Sequence, residues 1–356
     1  MTPDDITSVS IVVACRNERD YIEELLESIL AQEAGGIQWE VLVADGLSDD
    51  GTREILDAYS NKDPRVTVIN NGGLIVSTGL NAAIRQARGE FIIRMDAHTS
   101  YAPGYCAACI TALKTTGADN VGGPARTMAF TNKGKAVAAA FHSPFSTGGA
   151  KFHDVDYEGW VDTVPYGCWR KSTLERIGLF DEQLVRNQDD ELNLRLQRAG
   201  GRIWQTPAAV CWYSPRTDLG KLFRQYFQYG FWKVAVIRKH RLPSSLRQLV
   251  PGMFVLNLLG LPVAVALSLA LHCTQMLDIT AVLWLMSIAL YFLATGCASL
   301  LTARKHGWFL LPYLPLVFAT FHLSYGAGFL AGLLKPTVHT TGSLRADKSV
   351  FTKLSR

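Results

Sequence analysis

Three acidic points along the chain carry side chains that could do chemistry: Asp45, Asp96 with His98 two residues on, and the run Gln188-Asp189-Asp190-Glu191. On an extended segment, residues i and i+2 project to the same side, so a carboxylate and an imidazole at 96 and 98 could hold one divalent cation. Such a pair leaves coordination positions open for phosphate oxygens. A strand-end Asp can equally cap the turn that follows it. Asp45, directly after "WEVLVA", can accept hydrogen bonds from a nucleobase imide or a ribose hydroxyl, or cap the next helix. The acids at 189–191 open an apolar-periodic run, where carboxylates complement the unsatisfied N–H groups of a first helical turn. One of them could also serve as a general base. No Walker-type Gly-rich Lys loop is present, so phosphate charge would be met by a metal and basic side chains. Cys106-x-x-Cys109 has redox or metal spacing, but with no second pair or His tract nearby it reads as small helix-packing residues.

The elements that must position these residues follow from periodicity. Short apolar runs at "SVSIVVAC", "WEVLVADG", "RVTVIN" and "EFIIRMD" alternate with helical patterns in "ERDYIEELLESILAQ", "GTREILDAYS" and "STGLNAAIRQARG". Repeated strand and helix units predict an α/β fold with a mostly parallel sheet covered on both faces. Ligands bind such sheets at the carboxyl ends of the strands. Those ends here carry Arg16, Asn17 and Glu18, then Asp45, then Asp96 and His98. Beyond residue 128 the pattern loosens into a Gly- and aromatic-rich stretch, expected to form a substrate-binding half around the same sheet.

Length, 356 residues, suggests about two domains. Hydrophobicity is unevenly spread: from Leu249 to Leu301 Asp278 is the one acidic or basic residue, and from Trp308 to Leu334 there is none. Runs of about 20 apolar residues can span a bilayer. Spans are expected near 250–272, 281–301 and 309–334, with the basic loop 302–307 inside and the loop 272–280 outside. A third span would leave the basic tail 335–356 outside, against the charge rule. The opening residues have no basic region followed by an apolar run, so the first domain is expected in the cytoplasm. Seven cysteines in no framework pattern fit reduced thiols there. Between Arg202 and Arg247 there are nine Lys or Arg and one acid, Asp218, a belt suited to anionic headgroups. No nucleic-acid-binding motif accompanies it. The segment 218–240 mixes aromatic and basic residues as an interfacial helix would. The expected organisation is a catalytic domain over 1–217, an amphipathic basic helix and linker over 218–248, a transmembrane region over 249–334 and a basic tail over 335–356.

Taken in order, "SIVVACRNE", "VLVADGLSDDGT", "GLNAAIRQARGEFIIRMDAH" and "NQDDELNLRLQRAGGRIW" resemble the family 2 glycosyltransferases of the nucleotide-diphospho-sugar (GT-A) fold, over roughly residues 7 to 240. "DTVPYGCWRK" and "LFRQYFQYGFWK" are similar to the membrane-bound succinoglycan glucosyltransferase branch of bacterial exopolysaccharide pathways. The resemblance implies that Asp45 contacts the uracil or ribose end of a nucleotide sugar, with Ala14, Arg16, Asn17 and Glu18 as the adjacent wall. It implies that Asp96 and His98 hold Mn2+ or Mg2+ on the diphosphate, and that Asp189, with Asp190 beside it, is the base. Gln225, Gln228 and Trp232 would meet the acceptor, and Glu191 would serve structure or acceptor contact. Three positions depart from the family pattern. His98 replaces a second Asp, which favours Mn2+; Gln188 stands where a Glu often precedes the base; Gln228 stands where Arg is usual. The implied activity is inverting transfer of a hexose, glucose being expected, from a UDP-sugar to a polyprenyl-diphosphate-linked saccharide in the bacterial inner membrane. Two alternatives are direct transfer to a polyprenyl phosphate and a nucleotide-sugar sensor attached to a membrane protein.

Overall fold

The computed structural model describes residues 7–32, 36–270 and 274–335, with side chains omitted at 261, 265, 267–269 and 274–280. His272, the side chain of Asp278 and the tail beyond Lys335 lie outside what is described. The chain divides into two compact units, one holding residues 7–128 and 150–214, the other 129–149 and 215–335.

The first unit begins with the expected alternation: β1 (Thr7–Cys15), α1 (Ile22–Leu30), β2 (Ile37–Asp45), α2 (Thr52–Lys62), β3 (Val66–Asn70), α3 (Val76–Gln86) and β4 (Phe91–Met95). β1 pairs in parallel with β2 and β4, and β2 with β3. Both faces are buried. Val9, Ile11 and Val13 pack with Ile22, Leu25, Leu26 and Ile29 on one side. Val12 and Ala14 pack with Leu80, Ala83 and Ile84 on the other. Burial of alternate residues on opposite faces is why these strands read as continuous apolar runs.

The chain continues through β5 (Thr99–Tyr101), α4 (Tyr105–Thr116), β6 (Asn120–Gly122) and β7 (Ala125–Thr127), then α5 (Asn132–Phe141) and α6 (Pro144–Thr147) of the second unit. It returns with β8 (Gly159–Val161), β9 (Cys168–Arg170), α7 (Lys171–Ile177), α8 (Gln188–Arg198), β10 (Ile203–Gln205) and β11 (Cys211–Tyr213). The large sheet has the order β3-β2-β1-β4-β9-β6-β10-β8, and β5, β11 and β7 form a second, small sheet. The sheet is more mixed than the sequence predicts. β9 enters antiparallel between β4 and β6, and β8 lies antiparallel on β10. The reversal into β9 uses Tyr166 (φ 64°) and Gly167 (φ 91°), both left-handed. A Cβ at Gly167 would stand 2.4 Å from the Trp169 ring, so the turn admits no other residue without rearrangement.

The second unit consists of α5 and α6 with α9 (Leu219–His240), α10 (Val250–Ala270), α11 (Thr274–His306) and α12 (Leu314–Leu334). Three stretches are long and apolar enough to cross a membrane, Leu246–Ala264, Ala281–His306 and Leu314–Leu334. α9 starts at Asp218, whose side chain accepts from the backbone N–H of Lys221 at 2.8 Å. Expected as an interfacial helix, it lays a buried face of Leu222, Gln228, Gly230, Lys233, Val234 and Val236 within this unit. Its contact with α12 includes backbone-to-backbone approaches. A Cβ at Gly230 would meet the Tyr325 carbonyl oxygen at 2.0 Å, and one at Gly328 the Phe227 oxygen at 2.0 Å. Small residues that allow such approach characterise helix packing in apolar surroundings.

Candidate active site

The order β2-β1-β4 places the sheet's topological switch between β1 and β4, where α/β sheets open a crevice at the carboxyl ends of their strands. Every strand-end acid named above reaches this edge. Cys15 is in register with Asp45, and Val13 with Met95, so β1 delivers Arg16–Glu18 between the ends of its two neighbours.

The loops after β1 and β2 are tied by side chains. Asn17, left-handed at φ 57°, donates its backbone N–H to Ser48 Oγ at 2.8 Å and its Nδ2 to Asp49 Oδ1 at 2.7 Å. Asp49 N–H returns a bond to Asn17 Oδ1 at 3.0 Å, and Glu18 N–H donates to Thr52 Oγ1 at 2.8 Å. Arg16 lies along Gly46, where a Cβ would sit 3.1 Å from its side chain. Ala14 is buried against the α3 side of the sheet. Asp45 is 1% exposed, accepting from Ser48 Oγ at 2.5 Å and facing Arg53 Nη1 at 3.6 Å. Its carboxylate therefore organises the loop through Ser48 and does not cap α2, whose first turn is met by Asp50, which accepts from the Thr52 N–H at 3.0 Å.

Asp96 follows β4 directly and is one-third exposed. The extended geometry expected for Asp96 and His98 ends there: Thr99 N–H donates to the Asp96 carbonyl at 3.2 Å, closing a turn. His98 Nε2 lies 3.1 Å from Glu18 Oε2, and its ring meets Tyr21 edge-on at 4.4 Å. Asp96 instead faces Arg94, a residue the sequence reading passed over. Arg94 Nε donates to Asp96 Oδ1 at 3.2 Å and its Nη2 to both oxygens at 3.0 Å. Its Nη1 donates to Asp189 Oδ1. The signal was present as one basic residue inside the apolar strand "FIIRM".

α8 presents the acidic run. Its N-cap, Asn187, is left-handed at φ 60° and makes no side-chain cap hydrogen bond, so Asp189 stands in the first turn with its side chain about one-third exposed. Burial pushes the Asp189 carboxyl above the usual aspartate range, against the opposing pull of Arg94. For Arg94 burial works against the charge, and the carboxylates of Asp189 and Asp96 more than restore it, leaving the guanidinium pKa raised. Asp190 is half-buried beside it. Glu191, expected to serve structure or acceptor contact, is wholly buried and paired with Arg195 at 2.8 Å; Arg195 in turn donates to the carbonyls of Ile177, Gly178 and Leu179. Closed off in this way, Glu191 holds the approach to α8 rather than facing a ligand. Gln188 is buried with its Oε1 lacking a partner. Gln225, Gln228 and Trp232 lie on α9 of the second unit, where Gln225 Nε2 donates to Tyr229 at 3.0 Å and Gln228 is 4% exposed.

Among the described residues no group of three or more His, Cys, Asp or Glu gathers as a metal site. The residues present fit a cation that shares the partly exposed Asp96 with phosphate oxygens of a bound substrate. They do not fit one caged by protein alone, since His98 is turned to Glu18. Cys106 and Cys109 are both buried, and burial pushes the Cys106 thiol up to about 12, as expected of inert packing residues.

Residues 10–162 match the family described as glycosyl transferase family 2. The succinoglycan biosynthesis protein ExoA of Rhizobium meliloti (strain 1021) is 37% identical over 255 residues, 70% of this chain and 77% of that protein. A dolichyl N-acetyl-alpha-D-glucosaminyl phosphate 3-beta-D-2,3-diacetamido-2,3-dideoxy-beta-D-glucuronosyltransferase of Methanococcus voltae is 26% identical over 335 residues, 92% of this chain and 97% of that one. The mannosyltransferase PcManGT from Pyrobaculum calidifontis, solved with GDP-Man and Mn2+, shares the fold at a TM-score of 0.55 and 20% identity, covering 92% of this chain and 87% of that one. A mixed α/β sheet with acids at its carboxyl edge, set among these relatives, defines a GT-A glycosyltransferase. The chain belongs to glycosyltransferase family 2.

Proposed function

We propose that the chain transfers a hexose, glucose in the first instance, from a UDP-sugar to a polyprenyl-diphosphate-linked saccharide, with inversion, in the synthesis of an exopolysaccharide or other surface polysaccharide. The observation that carries this reading is the meeting of Asp96 and Asp189 at the β1/β4 crevice through one buried arginine. In this reading one acid serves the leaving diphosphate and the other the incoming hydroxyl. Asp189 takes the proton from an acceptor hydroxyl as that oxygen bonds to the anomeric carbon, and the bond from that carbon to the diphosphate breaks on the opposite side. Burial makes the Asp189 carboxylate a stronger base than a free aspartate. Asp190 lies beside it. A divalent cation held by Asp96, with His98 exchanging Glu18 for it, would supply Lewis-acid stabilisation of the departing diphosphate. The nucleoside end is shaped by Arg16, Asn17 and Glu18, and by Asp45 through Ser48.

The lipid-linked acceptor draws support from the three apolar stretches, from the basic belt of 202–247 and from the dolichyl-phosphate-linked substrate in the name of the Methanococcus relative. The polysaccharide role draws support from the succinoglycan relative. In this reading 249–334 anchors the protein in the bacterial cytoplasmic membrane, the 218–248 segment with Gln225, Gln228 and Trp232 serves the acceptor, and the sheet-bearing unit faces the cytoplasm. The test is incubation of membranes containing the protein with radiolabelled nucleotide sugars and polyprenyl-diphosphate-linked saccharides, with and without Mn2+. The expected result is label in the lipid fraction from a UDP-hexose. If no donor is turned over on any lipid, the reading fails.

A further inference from the structure

We infer that Arg94 is a positioning residue that couples the two sides of the reaction, holding Asp96 and Asp189 in one ion triad so that leaving group and acceptor are placed by a single guanidinium. This rests on Asp189 being the base, as proposed above. The first argument is the oddity of the residue. All five residues of β4 are buried, and Arg94 is 3% exposed among Phe91, Ile92, Ile93 and Met95. A buried cation is costly unless charged partners meet it, and here two carboxylates from separate elements do. The second is where the side chain is rooted. β4 is paired on both edges, to β1 and β9, and the Arg94 backbone N–H donates to the Gly167 carbonyl at 3.0 Å, so the guanidinium is rooted on a strand held on both sides. Chemical groups carried on such elements are held more precisely than groups on loops.

The third argument is geometric. Asp96 sits at the end of β4 and Asp189 in the first turn of α8, 93 residues later, and each is bonded to Arg94. Two carboxylates drawn to one crevice repel, and Arg94 offsets that repulsion while fixing their separation. Its planar fork makes this possible: Nε and Nη2 serve Asp96, and Nη1 serves Asp189. A lysine ammonium would keep the charge without the fork. Loss of the fork therefore leaves the donor able to bind but the base misplaced, and misplacement of about an ångström costs on the order of 100-fold in rate.

The experiment compares wild type, Arg94→Lys, Arg94→Met, Asp189→Asn and the double variant Arg94→Lys/Asp189→Asn in membranes, using UDP-glucose with Mn2+ and polyprenyl-diphosphate-linked saccharides. UDP-glucose binding and thermal melting are measured beside turnover. Arg94→Lys, which keeps the buried cation and so the fold, is expected to lose about 100-fold in kcat with its KM for UDP-glucose within about threefold of wild type. The double variant should lose clearly less than the product of the two single losses, since Arg94 acts in part through the base. Methylguanidine added to Arg94→Met should restore part of the rate. Wild-type turnover by Arg94→Lys, or multiplied losses in the double variant, would overturn the inference while leaving the proposed function standing. Wild-type turnover by Asp189→Asn would overturn the base assignment and the inference with it.

Discussion

In the sheet-bearing unit, side chains reach from loop to loop: Asn17 to Ser48 and Asp49, Glu18 to Thr52 and His98, Arg94 to Asp96 and Asp189. In the helical unit the closest approaches are made by backbone, Gly230 to Tyr325 and Gly328 to Phe227. The first unit also uses close backbone approach, as at Gly123 against the Ala209 carbonyl, but adds a network of polar side chains around the crevice; the second relies more on glycine contacts between its helices. The first kind of order tolerates added volume at its rim but not lost polarity. The second tolerates changes of polarity facing apolar surroundings poorly, and added volume at a glycine contact worst of all.

The sharpest way to break the polar side of this contrast is Asp189→Asn. It keeps the shape of the side chain and removes the base, so kcat should fall by about 100-fold to 10,000-fold in the lipid-transfer assay with UDP-glucose binding retained. On the other side, Gly328→Leu drives a side chain into the Phe227 carbonyl and should cost about 3 kcal/mol or more, read as a lowered melting temperature in detergent. Next in size is the response to acid. The Asp189 carboxyl is raised above the ordinary 3.8 by burial, so protonation begins at a higher pH than for a free aspartate. Transfer should fall along an acid limb whose midpoint lies above that of a free aspartate, approaching tenfold per pH unit below the midpoint. A raised acid favours the folded state when protonated, so melting should not drop along that limb through this group. Ser48→Ala removes one bond to Asp45 and one to Asn17, and should raise the donor KM about fivefold, roughly 1 kcal/mol. The smallest effect is expected of Gly296→Ala on α11. A Cβ there meets nothing within 4 Å, so gained helix propensity should stabilise by about 1 kcal/mol or less.

Much of the first unit was legible because burial on both faces writes itself into the sequence as apolar runs, as in Ile11–Val13 and Val41–Val43. Its acids were legible because they fall where those runs stop. β9 was not: three residues have no period to read, and its antiparallel entry is set by left-handed backbone at Tyr166 and Gly167. The turn after Asp96 hid His98's true neighbour, since alternation holds only while the chain stays extended. Glu191 stayed open between structure and acceptor contact because its spacing to Arg195, four residues on, is that of an ordinary surface pair, whereas the structure buries Glu191 completely. The period of α9 marks a buried stripe but cannot say whether lipid or α12 covers it; Gly230 decides that only once its neighbour Tyr325 is seen.

The route of the chain has a practical consequence for anyone who wishes to isolate the catalytic sheet. Residues 129–149 leave the sheet after β7 and return before β8, contributing α5 and α6 to the helical unit, where Ala136, Val137 and Ala140 are buried with Leu222, Leu314 and Phe318. Truncation at residue 217 would sever one connection and leave that excursion stranded, its apolar face stripped of cover. A soluble fragment therefore requires two edits rather than one, removal of everything from 215 onward and replacement of 129–149 by a short polar linker.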